Sequence, residues 1–505
     1  MALPVACCAL GLSVVAYAQD SGALRGVLAG DDLYGAYLDS DATQPQPEEI
    51  FIDPVLRPTE ASAPTVVELA TGVADAEEAT AAAVAPPTDD APTGTVPAET
   101  IDAATDLAVD RSAERAEAIE NLDRPAEDRP YEALGVRVGS FILKPTLEQG
   151  VTATTNADSS AGGEGALISE TTLRLNAASD WTSHSASVDA YGIFRKSISG
   201  DEIEDAQGGV SAALELELGK EYHALATLGY ALAPESATSP IAIPNAESQP
   251  LRQTTTGSLG LEKDAGKARF GITGDVENNR YGEAELEGGG VLSQDDRDQT
   301  LYTIELRAGY EISPALTPFV ATEIGRRVYD LELDSAGYAR SADRLGLRAG
   351  LELDLGEKLF GEVSVGWIRE DFDDERLAAI SGATIATNLA WSPVRGTIVG
   401  LAGSTTVEGA TGAGESGSML YSGALSVERA MRANLTGNAA LGAAYRDYAG
   451  CSCYDVILSG ELGLIWWLNR YAGLTGRLRH EDLTSNIPDR DSDTSSVFVG
   501  LKLQR

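Results

Sequence analysis

The stretch Phe141-Ile142-Leu143-Lys144-Pro145-Thr146-Leu147-Glu148-Gln149-Gly150-Val151-Thr152-Ala153 decides how this chain folds. Its odd positions carry Phe141, Leu143, Pro145, Leu147 and Val151. Its even positions are largely Lys144, Thr146, Glu148, Gly150 and Thr152, with Ile142 and Gln149 as exceptions. A period of two places alternate side chains on opposite faces of a β-strand, so one face is apolar and the other is wet. The split recurs in Val210 to Leu218, where Val210, Ala212, Leu214, Leu216 and Leu218 oppose Ser211, Ala213, Glu215 and Glu217. In Leu345 to Leu353, leucines and Ala349 interleave with Gly346, Arg348, Gly350 and Glu352.

Extended from these stretches, the pattern predicts about 18 segments centred near 147, 173, 190, 214, 227, 258, 273, 306, 322, 349, 364, 387, 401, 424, 441, 462, 476 and 499. The connections alternate in length. Short turns such as Gly219-Lys220-Glu221, Asp264-Ala265-Gly266, Ser313-Pro314, Gly356-Glu357-Lys358, Ser392-Pro393-Val394-Arg395 and Leu468-Asn469-Arg470 follow the even-numbered segments. Long polar loops, including Ala233 to Leu251, Gly282 to Asp298, Asp371 to Ser381 and Asp482 to Asp493, follow the odd-numbered ones. Every second connection therefore lies on the same side.

This arrangement predicts an all-β fold, a transmembrane antiparallel β-barrel of about 18 strands, each of about 10 residues, with short periplasmic turns and longer external loops. Closure leaves no sheet edge unpaired in hydrocarbon. Aromatics gather near segment ends, among them Tyr222, Tyr230, Tyr302, Tyr310, Trp367, Trp391, Tyr445, Trp466 and Tyr471, as interfacial girdles require. A soluble β-sandwich or solenoid would instead show roughly equal connections and large apolar residues on its packed faces.

Upstream of Tyr131 the texture is different. Met1 to Ala18 is mostly apolar and uncharged and ends in Ala16-Tyr17-Ala18, which reads as a signal peptide over residues 1–18 that removes Cys7 and Cys8 with it. Residues 19–130 carry 25 acidic and 6 basic side chains, a net of -19, together with 11 of the 21 prolines and no lysine. Such a composition predicts a disordered acidic periplasmic arm, in which Thr105 to Leu122 is either a short helix or a linker. Residues 131–505 form the expected barrel.

Over all 505 residues the net charge is -41, from 78 acidic and 37 basic residues, with 4 cysteines and 43% hydrophobic content. The acidic excess argues against nucleic-acid binding, which depends on Lys and Arg. The cysteine count excludes a disulfide scaffold. The lack of long apolar runs beyond the N-terminus excludes a multi-helix membrane protein.

Gly135-Val136-Arg137-Val138-Gly139-Ser140-Phe141, Lys144-Pro145-Thr146-Leu147-Glu148 leading into Thr154-Thr155-Asn156, and the closing Val497-Phe498-Val499-Gly500-Leu501-Lys502-Leu503 resemble the bacterial outer-membrane β-barrel family called putative β-barrel porin 2. The resemblance covers about residues 131 to 505 and implies outer-membrane location and a porin-like role. One departure is the ending Leu503-Gln504-Arg505, where many outer-membrane barrels carry an aromatic residue for the barrel assembly machinery.

Charged side chains on the expected inward face are candidate lumen residues: Lys144, Glu148, Arg174, Arg195, Glu215, Glu217, Arg269, Glu305, Arg307, Glu323, Arg327, Arg348 and Glu352. On the lipid side an Arg or Lys would cost about 2–4 kcal/mol at mid-membrane. They form either a structural ion-pair network or a transverse field guiding polar solutes, with a slight acidic excess hinting at cation preference. Cys451 and Cys453, in an expected external loop, are a disulfide candidate, with an intermolecular link or free thiols as alternatives. Of the three histidines, only His223 has the inward parity; His184 and His480 have the other. No catalytic constellation, cofactor site or metal site is expected.

The leading functional expectation is a passive channel for small hydrophilic solutes or ions. The alternative is an export or anchoring component for surface polysaccharide, with the acidic arm recruiting a periplasmic partner. The expected partners are outer-membrane lipid and the assembly machinery, and no sequence feature selects a homo-oligomeric state.

Overall fold

The computed structural model describes residues 130–505, except 236–238, 240–245, 249, 287–289, 410–411 and 489. The expected signal peptide and all but the last residue of the expected arm lie outside the described residues.

Eighteen long strands form the wall. In chain order they are β1 (Phe141–Thr154), β2 (Ala166–Ser179), β3 (His184–Gly200), β4 (Glu204–Glu217), β5 (Tyr222–Pro234) and β6 (Leu251–Ala265). Then follow β7 (Ala268–Tyr281), β8 (Gln299–Tyr310), β9 (Leu316–Tyr329), β10 (Ala342–Asp354), β11 (Leu359–Phe372) and β12 (Ile380–Val394). The last six are β13 (Thr397–Gly409), β14 (Gly417–Arg432), β15 (Leu435–Tyr448), β16 (Tyr454–Trp467), β17 (Ala472–Ser485) and β18 (Ser492–Gln504). Each pairs antiparallel with its sequence neighbours, and β1 pairs with β18 from Thr146↔Gln504 to Thr154↔Ser496, which closes the cylinder. A three-residue strand, Val136–Val138, folds back on the start of β1.

All 18 expected segment centres fall inside these strands. The strands run from 12 to 17 residues rather than about 10, because they tilt and project beyond the hydrocarbon. The connections after even strands are 180–183, 218–221, 266–267, 311–315, 355–358, 395–396, 433–434 and 468–471. Those after odd strands are mostly longer, up to 282–298, but 201–203 between β3 and β4 breaks the alternation. Loops 235–250 and 282–298 share a small sheet of Ala246–Ser248, Ala284–Leu286 and Gly290–Leu292.

Which face points inward follows from the ion pairs. Arg307 on β8 reaches Glu362 on β11 at 2.7 Å, and Arg269 on β7 reaches Glu352 on β10 at 2.8 Å. Three strand spacings of ~4.8 Å separate such residues by roughly 14 Å along the sheet. Only the concave side brings their ends together, so the charged parity lines the lumen. The opposite parity carries Leu228, Leu259, Leu347, Val365, Leu441 and Val499, each about 60% exposed or more. The usual order of a soluble protein is inverted, with large aliphatics outside and Glu305, Glu323, Arg327 and Arg446 buried.

The outer apolar band has visible limits. On β10, outward leucines run from Leu345 to Leu353 and are bounded on the external side by Asp343, which pairs with Arg326 at 2.9 Å. Eight residues at ~3.3 Å, tilted by ~40°, span roughly 20 Å, comparable to the ~25 Å band of outer-membrane barrels. Tyr421, Tyr445 and Tyr454 form a row of rings 6.4 and 6.0 Å apart near the external ends of β14 to β16. Tyr222, Tyr310, Trp391 and Tyr471 are exposed at the turn-side ends.

At the seam, Gly150 and Gly500 face each other in register. A Cβ on Gly150 would come within 2.5 Å of the Phe498 ring, and one on Gly500 within 2.6 Å. Both glycines are needed for that inward ring to lie flat across the join.

Candidate functional site

The lumen is the candidate site, and its wall is uneven. On the β7 to β11 side, Arg269 bridges Asp264 (3.1 Å) and Glu352 (2.8 Å), while Arg307 bridges Glu352 (3.1 Å) and Glu362 (2.7 Å). Arg348 meets Glu305 at 2.6 Å. Around the seam, Arg477 pairs with Glu170 at 2.7 Å and Glu148 at 3.6 Å, and Arg195 lies 3.6 Å from Glu170. Two of these arginines also cover aromatic rings: Arg307 lies 3.6 Å from the Phe319 centroid and Arg477 4.5 Å from that of Phe498. Both rings press toward a glycine on a neighbouring strand, Gly350 and Gly150. Charge, ring and glycine thus form the same three-layer packing twice, holding long side chains close to the wall.

The external mouth carries a second tier. Arg327 contacts Glu370, Gln299 and the Val407 carbonyl, and Arg344 contacts Glu370 and Glu323. Further round, Arg446 joins Glu408 (2.7 Å) to Asp455 (3.0 Å), and Asp455 also accepts from Tyr448, Ser485 and Arg490. Arg490 donates to the Ser239 carbonyl at 2.8 Å. Arg297 forms a two-pronged pair with Glu235 at 2.8 and 2.5 Å. Beneath Arg446 the inner surface turns apolar, with Leu420, Ala440, Ala444, Ile457 and Leu483 packed together.

The mouth loops are tied to one another by Asp334. Its carboxylate accepts from the backbone N–H of Ala336, Tyr338 and Gly414 and lies 3.5 Å from Arg340. Burial pushes this carboxyl up, but those N–H groups and the Arg340 guanidinium outweigh it and hold it below the usual carboxylate range. Asp374, bonded by the Arg376 side chain and by backbone N–H groups, is likewise held low. Arg376 stacks 3.9 Å over Tyr338 and donates to Gly337, joining loop 373–379 to loop 330–341.

The remaining wall is of another kind. The inward positions of β12 to β14 include Thr384, Ala386, Asn388, Ala402, Ser404, Ser422, Ala424 and Ser426, all partly exposed to the lumen. Charge enters this wall only at its two ends, with Glu408 and Glu428. Ser404 and Ser422 hydrogen-bond at 3.0 Å.

The structure places the sequence-predicted residues as follows. It brings together Arg269 with Glu352, Arg307 with Glu352, and Arg348 with Glu305. Glu323 and Arg327 pair instead with Arg344 and Glu370, and Glu148 and Arg195 meet at the seam through Arg477 and Glu170. Lys144 lies 3.7 Å from Glu132, ahead of the barrel. Glu215 accepts from Ser185, Glu217 is in register with His223, and Arg174 is in register with Thr146 and Tyr191. Cys451 and Cys453 are disulfide-bonded, with Cα atoms 5.3 Å apart. His223 sits 3.5 Å from Asp264 beside a turn, and among the described residues no serine hydroxyl bonds to it. No group of three or more His, Cys, Asp or Glu among the described residues converges as a metal site.

Sequence reasoning missed Arg344, Glu370, Glu408 and Asp455, together with the loop residues Glu235, Arg297, Arg340 and Arg490. The first four share the parity of inward neighbours on their own strands, so the signal was present. The loop residues have no periodicity to read.

A closed antiparallel barrel with an apolar outer band and a charged, water-facing interior is an outer-membrane transmembrane β-barrel. The chain matches the family described as "Putative beta-barrel porin 2" over residues 129–505, and it belongs to that family. It is a porin-like protein of the Gram-negative outer membrane. No curated protein matches it. Similar solved structures include three from Pseudomonas aeruginosa. The outer membrane protein OpdK has 14% identity, with 72% of this chain and 99% of that one covered and a TM-score of 0.35. OpdO has 14% identity, covering 73% and 98% with a TM-score of 0.37. The ferric enterobactin receptor PfeA has 9% identity, covering 72% and 81% with a TM-score of 0.35.

Proposed function

We propose that the barrel is a passive channel for small hydrophilic solutes, and that they pass along the uncharged wall of β12 to β14. The observation that carries this reading is the division of the inner surface. Arginines and carboxylates on the β7 to β11 side neutralise one another across strands. The β12 to β14 side offers hydroxyls, an amide and small side chains that take up little of the lumen. A solute moving there exchanges water for Thr384, Asn388 and Ser404 without meeting a fixed charge until either end. Selectivity then rests on lumen width, the inward-bonded loops and the polarity of the lining.

Purified full-length protein in planar bilayers tests the proposal. Stepwise conductance is expected, and bilayers that stay sealed at high protein load overturn it.

A further inference from the structure

The periplasmic ends of β14 to β17 carry a cleft on the outer face of the barrel. Its walls include Arg432, Leu435, Leu464, Trp466, Leu474 and Gly476. Register fixes the arrangement: Leu435, Trp466 and Leu474 form one outward row, and Gly437, Leu464 and Gly476 form the next. Gly476 leaves the second row low on one side of Leu464, while the Met431 side chain lies over Gly437 on the other, so the cleft runs up the wall into the apolar band along Gly476. Arg432 is in register with Leu435 and stands at its turn-side rim. Leu464, Trp466 and Leu474 are 50%, 51% and 42% exposed, open to the membrane.

The charge of this sector is unlike that of the rest of the chain. Residues 387–407, 429–446 and 462–480 contain no Asp or Glu, in a protein of net charge -41. Its turns and strand ends carry Arg395, Arg429, Arg432 and Arg470, and it holds Trp391, Trp466 and Trp467, three of the five tryptophans. Tryptophan settles at headgroup depth, and arginine near the surface attracts anionic headgroups.

We propose that this cleft is a binding site for one anionic diacyl phospholipid of the periplasmic leaflet. An acyl chain lies over Gly476 between Leu464 and Leu474, with Met431 over Gly437 closing its far edge, and the phosphate is held by Arg432, with Arg429 adding to the local field. The short turns, the start of β1 and the end of β18 lie on this side, which assigns the site to the phospholipid leaflet rather than to the outer one. The site is separate from the lumen, so it stands or falls independently of the channel reading.

The test uses full-length protein in detergent with equal amounts of phosphatidylglycerol and phosphatidylcholine of identical chains, with bound lipid counted by native mass spectrometry. Wild type is expected to retain phosphatidylglycerol in preference. Arg432→Gln with Arg429→Gln should lower that preference about fivefold per arginine. Gly476→Leu, which fills the cleft without touching charge, should reduce retention of both lipids. The heat-modifiable gel migration and β-sheet circular dichroism of each variant should match wild type and report that the barrel has folded. Equal retention of the two lipids by wild type overturns the proposal, as does unchanged retention in the arginine variant. A lipid-free dimer masking this face would overturn it too, by assigning the cleft to a second copy of the chain.

Discussion

Arg490 donates to the Ser239 carbonyl at 2.8 Å while holding Asp455 at 3.0 Å. Ser239 belongs to the loop between β5 and β6, and Arg490 to the loop between β17 and β18. Five strand spacings of ~4.8 Å, about 24 Å of wall, separate those loops. Ser239 therefore lies away from the wall of its own strands, and the Arg490 guanidinium bonds it about a quarter of the way round the barrel. Arg490→Ala should free the β5–β6 loop and leave Asp455 bonded to Arg446, Tyr448 and Ser485. Single-channel recordings are expected to show higher conductance and more open-state noise than wild type. An unchanged trace would mean that the loop is held by other contacts.

Arg446 is more costly to remove. It lies between Glu408 and Asp455 with its side chain 1% exposed, so Arg446→Ala strands buried carboxylate charge. Breaking a buried pair in this way costs about 3–5 kcal/mol, to be read as a lower denaturant midpoint. In the Arg307 cluster, Arg307→Met should cost a similar amount, and adding Glu362→Gln should recover part of it. The coupling measured by that double-mutant cycle would vanish if the pair were only incidental.

The mouth should loosen in acid. The folded Asp334 carboxyl titrates below its unfolded value of about 3.9. Its stabilisation is thus complete above about pH 4 and disappears as pH falls through the folded value. Hydrogen-exchange protection in residues 330–341, taken relative to the intrinsic rate at each pH, should fall in that acid range. Asp334→Asn should lower the loop's protection at neutral pH as well, and a pH-independent protection factor in wild type would contradict this.

A charge placed on the uncharged wall tests the route through the lumen. Ala402 faces inward beside Asn388 and Ala424. Ala402→Arg should cut neutral-sugar flux into liposomes by roughly half or more and shift ion preference toward anions. Sugar flux equal to wild type would place the route elsewhere.

Leu347→Arg probes the other face. Leu347 is 59% exposed in the middle of the apolar band of β10, so the substitution should destabilise the barrel by about 2–4 kcal/mol in lipid. A cost near zero would mean that β10 faces water.

Much of this architecture is readable in the alternation of stretches such as Leu345 to Leu353, because a one-residue error in parity would turn every leucine into the lumen. Candidates such as Arg307 and Glu352 could be placed on a face by the same rule. Their partners could not, since Glu362 lies three strands from Arg307 and nothing local records curvature. The strand lengths were underestimated because polar ends such as Asp343 and Arg326 continue the ladder beyond the hydrocarbon. The mouth was the least legible part: Arg297, Arg340, Asp334 and Arg490 sit in loops, where a contact depends on the path of the backbone rather than on a period. The short connection 201–203 also escaped the alternation rule, and β3 makes up the difference by running to 17 residues.

The seam has a kinetic meaning. Gly150 and Gly500 are neighbours in space but 350 positions apart in sequence, whereas most other wall contacts join successive hairpins. The hairpins can zip in order, each closing a short loop at little entropic cost, while the join between β1 and β18 must wait for the whole curved sheet. Phe498 sliding over two bare backbones is then the latch of the final step. A methyl group at Gly150 would act on this last event, leaving assembled hairpins in an unclosed sheet with an edge exposed to lipid.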